Sequence, residues 1–294
     1  MTFEEKYKSI LLDTFKFAIS FLNSHNLRWY VVGGSMIGTV RHKGLIPWDD
    51  DVDISMPRED FEKLLALRNE LCDTDFEISY LDKDESYYMP FAKISHKNST
   101  LWEFKGFPCV FGVYIDIFPM DLVAGDKEFI YKRMNQYKPY IDNMRRSLHQ
   151  TTICEIARSF IFGEFRKSLS SLKSYFLYKP FSSYFRHKYR TFELTLNDQN
   201  GDYWVCFGGA YGKKEIYKTE WFDNPISMPF ENLIVWVPNG YHQLLTQNYG
   251  DYMTPPPPEK CIASHDDRYY VNLIKRISIA EAKEQIRKGI TKEY

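Results

Sequence analysis

Between Gly44 and Arg58 the chain reads GLIPWDDDVDISMPR, and Asp49, Asp50, Asp51 and Asp53 place four carboxylates within five positions. Side chains on a strand alternate between faces, so Asp51 and Asp53 point one way while Val52 and Ile54 point into a core. Two such carboxylates, about 6–7 Å apart, repel by roughly 2–3 kcal/mol at an effective dielectric of ~20. A divalent cation offsets that repulsion directly. An all-oxygen donor set favours magnesium, with manganese as the alternative. The plain competing reading is a solvated acidic turn. A third carboxylate is offered by Asp116 in YIDIFP, where Ile115 and Ile117 face inward and turn Asp116 to the other side. If that strand lies beside residues 51–54, Asp51, Asp53 and Asp116 converge as metal ligands.

Upstream, residues 28–32 (RWYVV) form a short apolar strand that ends at Gly33, Gly34 and Ser35. Ser35 is expected to cap a short helix through Val40. A strand, a glycine pair and a helix start bring backbone N–H groups to where a phosphate can sit. Arg41 and Lys43, just past that helix, are placed to balance a diphosphate, or else form a solvated basic turn. Lys93, between apolar neighbours in FAKIS, needs an anion, for which a substrate phosphate is favoured over an internal carboxylate. His265 follows the PPPP run and precedes Asp266 and Asp267; it is the histidine singled out for function, against a structural role. Trp48 reads as core, or as a stacking platform.

The elements that must position these groups follow from periodicity. Tyr7, Ile10, Leu11, Phe15, Ala18, Ile19 and Leu22 recur at helical steps, as do Phe61, Leu64, Leu65 and Leu71. YYMPFAKIS and GVYIDIFPMD read as strands. The first 125 residues therefore form an α+β catalytic core with a small mixed sheet flanked by helices. Residues 126–196 read as a helical insertion; between Lys132 and Arg190 it carries 13 Lys/Arg against 3 Asp/Glu, with aromatics interleaved. Residues 197–294 complete the catalytic domain, with strands near DYWVCFGGAYG, a helix before the proline run and a C-terminal helix.

Composition bounds the function. A hydrophobic content of 44% with 17% aromatics supports a packed core rather than disorder. The net charge of −1 excludes a dedicated nucleic-acid binder. Five cysteines, odd in number and never in a C-x-x-C pair, fit reduced thiols rather than a disulfide framework or zinc knuckle. Glu4 and Glu5 stand where a signal peptide would be basic, so a cytoplasmic protein is expected. The basic, aromatic insertion suits either peripheral contact with the inner face of a membrane or a helical subdomain that balances the acidic core.

The run GGSMIGTVRHKGLIPWDDDVDISMPREDFEKL closely resembles the signature of the LicD family, which includes the fukutin-type transferases. YIDIFPMD and NYGDYMTPPPPEK, followed by His265, resemble its later blocks. The resemblance implies a nucleotidyltransferase-like fold and magnesium-dependent transfer of a phospho-alcohol, phosphocholine first. The donor would be CDP-activated (CDP-choline favoured) and the acceptor a sugar hydroxyl of a cell-surface glycan or its lipid-linked precursor. CMP would leave. The family's metal aspartates fall on Asp51, Asp53 and Asp116, with Asp49 in an outer role. The chain departs from the pattern near Cys261, where a basic residue is expected. Two other readings share parts of this evidence. A nucleotidyltransferase adding a nucleoside monophosphate to a small molecule would use the same glycines and aspartates. A silent membrane-associated scaffold would have no need of them.

Overall fold

A computed structural model describes residues 1–198, 200–261 and 268–294. Helix α1 (Phe3–Ser24) opens with a capping box in which Thr2 and Glu5 satisfy each other's backbone N–H groups. It buries Leu11, Phe15, Ala18 and Leu22. Strand β1 (Tyr30–Val31) runs directly into α2 (Gly33–Ile37), which widens into one further turn over Gly38–His42. Next come β2 (Asp53–Pro57), α3 (Arg58–Ala66), β3 (Phe76–Ser79), β4 (Ala92–His96), β5 (Thr100–Trp102) and the long β6 (Tyr114–Val123).

A run of helices follows: α4 (Lys127–Leu148), α5 (Ile153–Ile161), α6 (Phe165–Lys173) and α7 (Ser182–Glu193). The chain then returns to strands β7 (Tyr203–Val205), β8 (Ile216–Lys218), β9 (Ile226–Phe230) and β10 (Leu233–Val237). Helix α8 (Tyr241–Tyr249), β11 (Tyr270–Asn272), α9 (Ile279–Arg287) and β12 (Lys292–Glu293) close it. The class is α+β, with a mixed sheet, flanking helices and a helical insertion.

The central sheet has the order β1-β2-β6-β4-β3, extended by β7 and β8 from the far end of β6. Strands β2 and β6 are parallel, and the other pairs in this sheet are antiparallel. The smaller pieces are the β9–β10 hairpin and the β12-β11-β5 sheet. Val31, Val52, Ile54, Ile115 and Ile117 are fully buried in the main core. Helix α1 lies across β4 and β6, and α3 lies on β2 and β6.

The helical insertion is fastened to this sheet by charge. Arg58 of α3 makes a two-pronged bond to Asp121 of β6 at 2.8 and 3.0 Å, and its guanidinium also lies 3.1 Å from Glu193 of α7. Glu193 accepts from the Tyr80 hydroxyl and from Arg190, whose other contact is Glu62. Where α4 and α7 pack, Tyr140 stacks on Phe192 at 4.1 Å.

Candidate active site

Register puts the chemistry in one row across the sheet. Asp53 of β2 pairs with Asp116 of β6, and Asp116 pairs with Lys93 of β4. Adjacent strands lie about 4.8 Å apart, so a cross-strand row is a tight way to bring acids together. Strand β2 begins at Asp53 rather than Asp51, which lies on the approach to the strand. The ladder is nonetheless continued upstream by the bond from Asp116 N–H to Val52 C=O at 2.9 Å.

The turn after β1 clamps Asp53 by its backbone. Val32 N–H donates to Asp53 C=O at 3.1 Å, and Asp53 N–H donates to the Ser35 hydroxyl at 2.8 Å. Ser35 thus does not cap the helix: α2 starts two residues earlier, with Val32 at the cap, and the buried hydroxyl holds β2 in place. Both glycines are required by close approach. A Cβ at Gly33 would stand 2.9 Å from Asp53 Oδ2, and one at Gly34 would stand 2.7 Å from Asp49 Oδ2. Gly33 also has φ +59°, a left-handed backbone that side chains disfavour.

The electrostatics follow from burial and crowding. Burial first, then the charges of Asp51, Asp116 and Asp49, push the Asp53 carboxyl well above the ordinary range, with Lys93 opposing them. Asp49 is pushed up to about 8 by burial and by Asp51. Asp116 rises to about 6 through burial, held back by the Lys93 ammonium. Carboxylate oxygens of Asp49, Asp50 and Asp51 lie within 4.8 Å of one another. Asp50 is held by Arg268 at 2.7 Å. Among the described residues it is the partly buried trio of Asp49, Asp50 and Asp51, rather than Asp51, Asp53 and Asp116, whose oxygens lie close enough together for one ion, and an all-oxygen set of that kind fits a hard divalent cation.

Lys93 departs from its expected role. It is only 1% exposed, lies 3.2 Å from the centre of the Tyr114 ring, and donates to Asp116 Oδ1 at 2.7 Å. The anion it finds is therefore a carboxylate of the protein rather than a substrate phosphate. Burial explains this: an ammonium inside the sheet needs a fixed partner whether or not substrate is present. Arg41 turns to the C-terminal part, where it donates to Tyr252 C=O at 2.7 Å. Lys43 is exposed, with a left-handed backbone at φ 60°. Trp48 is half-buried beside a cavity of about 190 Å³ lined also by Tyr7, Asp49, Asp50 and Arg268. His265 lies outside the described residues.

The residues that sequence reasoning passed over are Tyr249 and Tyr211. The Tyr249 hydroxyl would lie 3.7 Å from a Cβ at Gly33, and its ring meets that of Tyr211 at 5.2 Å. Burial, a bond to Tyr211 and the nearby Asp53 charge hold the Tyr249 phenol protonated, so it is a donor at the edge of the acidic row. Its only sequence signal was membership of the NYGDYM block.

Residues 26–147 match the family model described as LicD/FKTN/FKRP, nucleotidyltransferase domain. The chain is 27% identical over 258 residues to the lipopolysaccharide cholinephosphotransferase LicD of Haemophilus influenzae, spanning 84% of this chain and 90% of that protein. It is 26% identical over 99 residues to the human ribitol 5-phosphate transferase FKRP, spanning 32% of this chain and 20% of that protein. A 64-residue stretch is 36% identical to an uncharacterized protein of Rickettsia typhi, covering 21% of each chain.

Proposed function

Starting from a chain that belongs to the LicD/FKTN/FKRP family through its residues 26–147, we propose a magnesium-dependent transferase that moves a phospho-alcohol onto a glycan. The donor is a CDP-alcohol, CDP-choline first, and the acceptor is a sugar hydroxyl of a cell-surface glycan or its lipid-linked precursor. The observation that carries this reading is the in-register pair Asp53–Asp116, with Asp49 and Asp51 beside it and a single lysine against it. Alignment along 90% of the cholinephosphotransferase favours phosphocholine over ribitol phosphate as the transferred unit.

Asp51 and Asp53 would hold the ion, which leaves Asp116 free to act as the base. Bound there, it would neutralise the donor diphosphate and make the phosphorus easier to attack. Gly33 and Gly34, which make room for the Asp53 and Asp49 carboxylates, would offer backbone N–H groups to phosphate oxygens, and Arg41 and Lys43 would add positive charge. Lys93 occupies Asp116 Oδ1, so the proton of the acceptor hydroxyl would pass to Asp116 Oδ2. The acceptor oxygen bonds to the phosphorus that bears the alcohol. The bridging P–O bond breaks, and CMP departs with its electron pair.

A nucleotidyltransferase reading is favoured by one finding, the description of the matched domain. Product analysis separates the two. With CDP-choline, CDP-ribitol and CDP-glycerol as donors, the proposal expects one of them to release CMP in a magnesium-dependent way and to raise Tm. Inorganic diphosphate from CTP or ATP, with no response to any CDP-alcohol, would replace it by nucleotidyl transfer.

A further inference from the structure

The region α5–α7 carries a surface that the transfer reaction does not use. Of the 23 large apolar side chains exposed among the described residues, 11 fall between Ile153 and Tyr184. Ile161 is 81% exposed, Phe162 69% and Phe165 61%, with Leu169, Phe176 and Phe181 close behind. A soluble surface rarely gathers so many large apolar groups in one place.

The packing of α5 against α6 is turned inside out. What α5 buries is Ile156 and Ser159, and what α6 buries is Ser168. The two serine hydroxyls meet at 2.6 Å in the interior of the hairpin, while the phenylalanines and leucines point away. In water a helix pair does the reverse. Basic groups stand among the exposed rings: Arg158 lies 5.6 Å from the Phe162 ring centre, Lys179 5.2 Å from Tyr175 and Lys173 6.0 Å from Tyr178. Within 153–184 there are five Lys/Arg and two Glu. Both glutamates are already bonded locally, Glu155 to Thr152 and Glu164 to Lys167.

We propose that residues 153–184 dock the protein on an anionic lipid bilayer, with Ile161, Phe162, Phe165 and Leu169 entering the headgroup–acyl boundary and the lysines and arginines meeting lipid phosphates. Apolar side chains ringed by basic groups match an interface of that kind. The core of a protein–protein interface, by contrast, is depleted in lysine. Among the described residues no helix is long and apolar enough to cross a membrane, so the contact is peripheral. The inference stands apart from the proposed reaction, because none of these residues belongs to the acidic site.

The test is co-sedimentation of the full chain with phosphatidylcholine vesicles, alone or containing about 30 mol % phosphatidylglycerol. Binding is expected only with the anionic vesicles, and it should weaken with salt. Ile161→Glu with Phe162→Glu should lower partitioning at least ~100-fold. Lys173→Gln with Lys179→Gln should lower it roughly 30-fold. Both variants should keep the parent's Tm, which separates lost docking from lost folding. No sedimentation with anionic vesicles, or equal sedimentation with both kinds, overturns the proposal. So does light scattering that finds the parent at twice the 35.0 kDa chain mass and the Ile161/Phe162 variant at the single mass, since a second copy would then cover the patch.

Discussion

Asp116 and Asp121 lie on the same strand, both are buried, and each is met by one basic side chain: Lys93 at 2.7 Å and Arg58 at 2.8 Å. Their wider surroundings differ. Around Asp121 the cations Arg58 and Arg190 meet Asp121, Glu193 and Glu62, with Tyr80 donating as well. Burial raises the Glu193 carboxyl, yet the two arginines and the tyrosine outweigh it and hold the group below the ordinary range. Around Asp116 the same burial is joined by further acids, and Asp53 and Asp49 are driven up. One cluster is close to balance, with two arginines for three carboxylates, and ties the helical insertion to the sheet. The other crowds more carboxylates around Lys93 and Arg268, a shortfall of positive charge that the proposed magnesium ion would relieve.

Substitution should separate the clusters, and the largest effect belongs to the acidic one. Asp53→Asn is expected to lower transfer by about 10³-fold or more, the scale of losing a principal electrostatic group. Its Tm should hold or rise by a few degrees as like-charge repulsion is relieved, and the increase in Tm that magnesium gives the parent should vanish. If Asp53→Asn instead unfolded the protein with no effect of magnesium on the parent, the cluster would be structural. Arg58→Ala should do the opposite. It strands Asp121 in the interior, leaves Glu193 with Arg190 and Tyr80, and should cost about 3–5 kcal/mol of stability by denaturant titration, while the activity per folded molecule stays near that of the parent.

The sequence exposed the acidic cluster better than the arginine-rich one. Asp-x-Asp in a strand context and Asp116 between two isoleucines are local patterns, and strand alternation alone aims them. The network of Arg58, Asp121 and Glu193 joins residues from α3, β6 and α7, so no local pattern announces it. Similar physics explains the local misreadings. Ser35 was expected at a cap because serine commonly sits there, yet its hydroxyl is used across the turn by Asp53 N–H. Lys93 was expected to await phosphate, but a fully buried ammonium cannot be left without a fixed anion. Tyr249 reaches the site only because α8 packs on α2, a long-range fact with no periodic trace. The helices of the insertion were legible from composition, whereas the inverted packing of α5 on α6 depends on which serine meets which.

The glycines next to the acids give an intermediate effect that sharpens the comparison. Gly33→Ala combines a left-handed backbone, costing roughly 1–2 kcal/mol, with a Cβ 2.9 Å from Asp53 Oδ2. Gly34→Ala has only the steric conflict, 2.7 Å from Asp49 Oδ2. Both should displace a carboxylate, so activity should fall by more than stability, with Gly33→Ala the worse in a denaturant titration. Equal activity in Gly33→Ala and parent would show that the Asp53 carboxylate tolerates displacement and does not hold an ion in the position described.

The smallest effect comes from an acid that belongs to neither cluster. Glu215 is buried and accepts backbone N–H groups from Tyr211 and Gly212 at 2.9 and 3.1 Å. These amides lower its pKa, but burial wins and the carboxyl is pushed up to about 7. A folded-state pKa above the unfolded one means that the folded chain holds the proton more tightly. The stability linked to Glu215 is then fully present below the unfolded value of about 4.5 and is lost as pH rises through about 7. Full titration amounts to a loss on the order of 3 kcal/mol. Glu215→Gln keeps an oxygen for the amides and removes the titration, so its ΔG of unfolding should vary less between pH 5 and pH 8 than the parent's, by about that amount. Amide N–H groups then appear as partners that hold a buried acid in place without neutralising it, short of what Arg58 does for Glu193. Parallel pH profiles for variant and parent would mean that the two amides suffice to keep Glu215 ionised, and that the contrast between the clusters depends on hydrogen bonds more than on net charge.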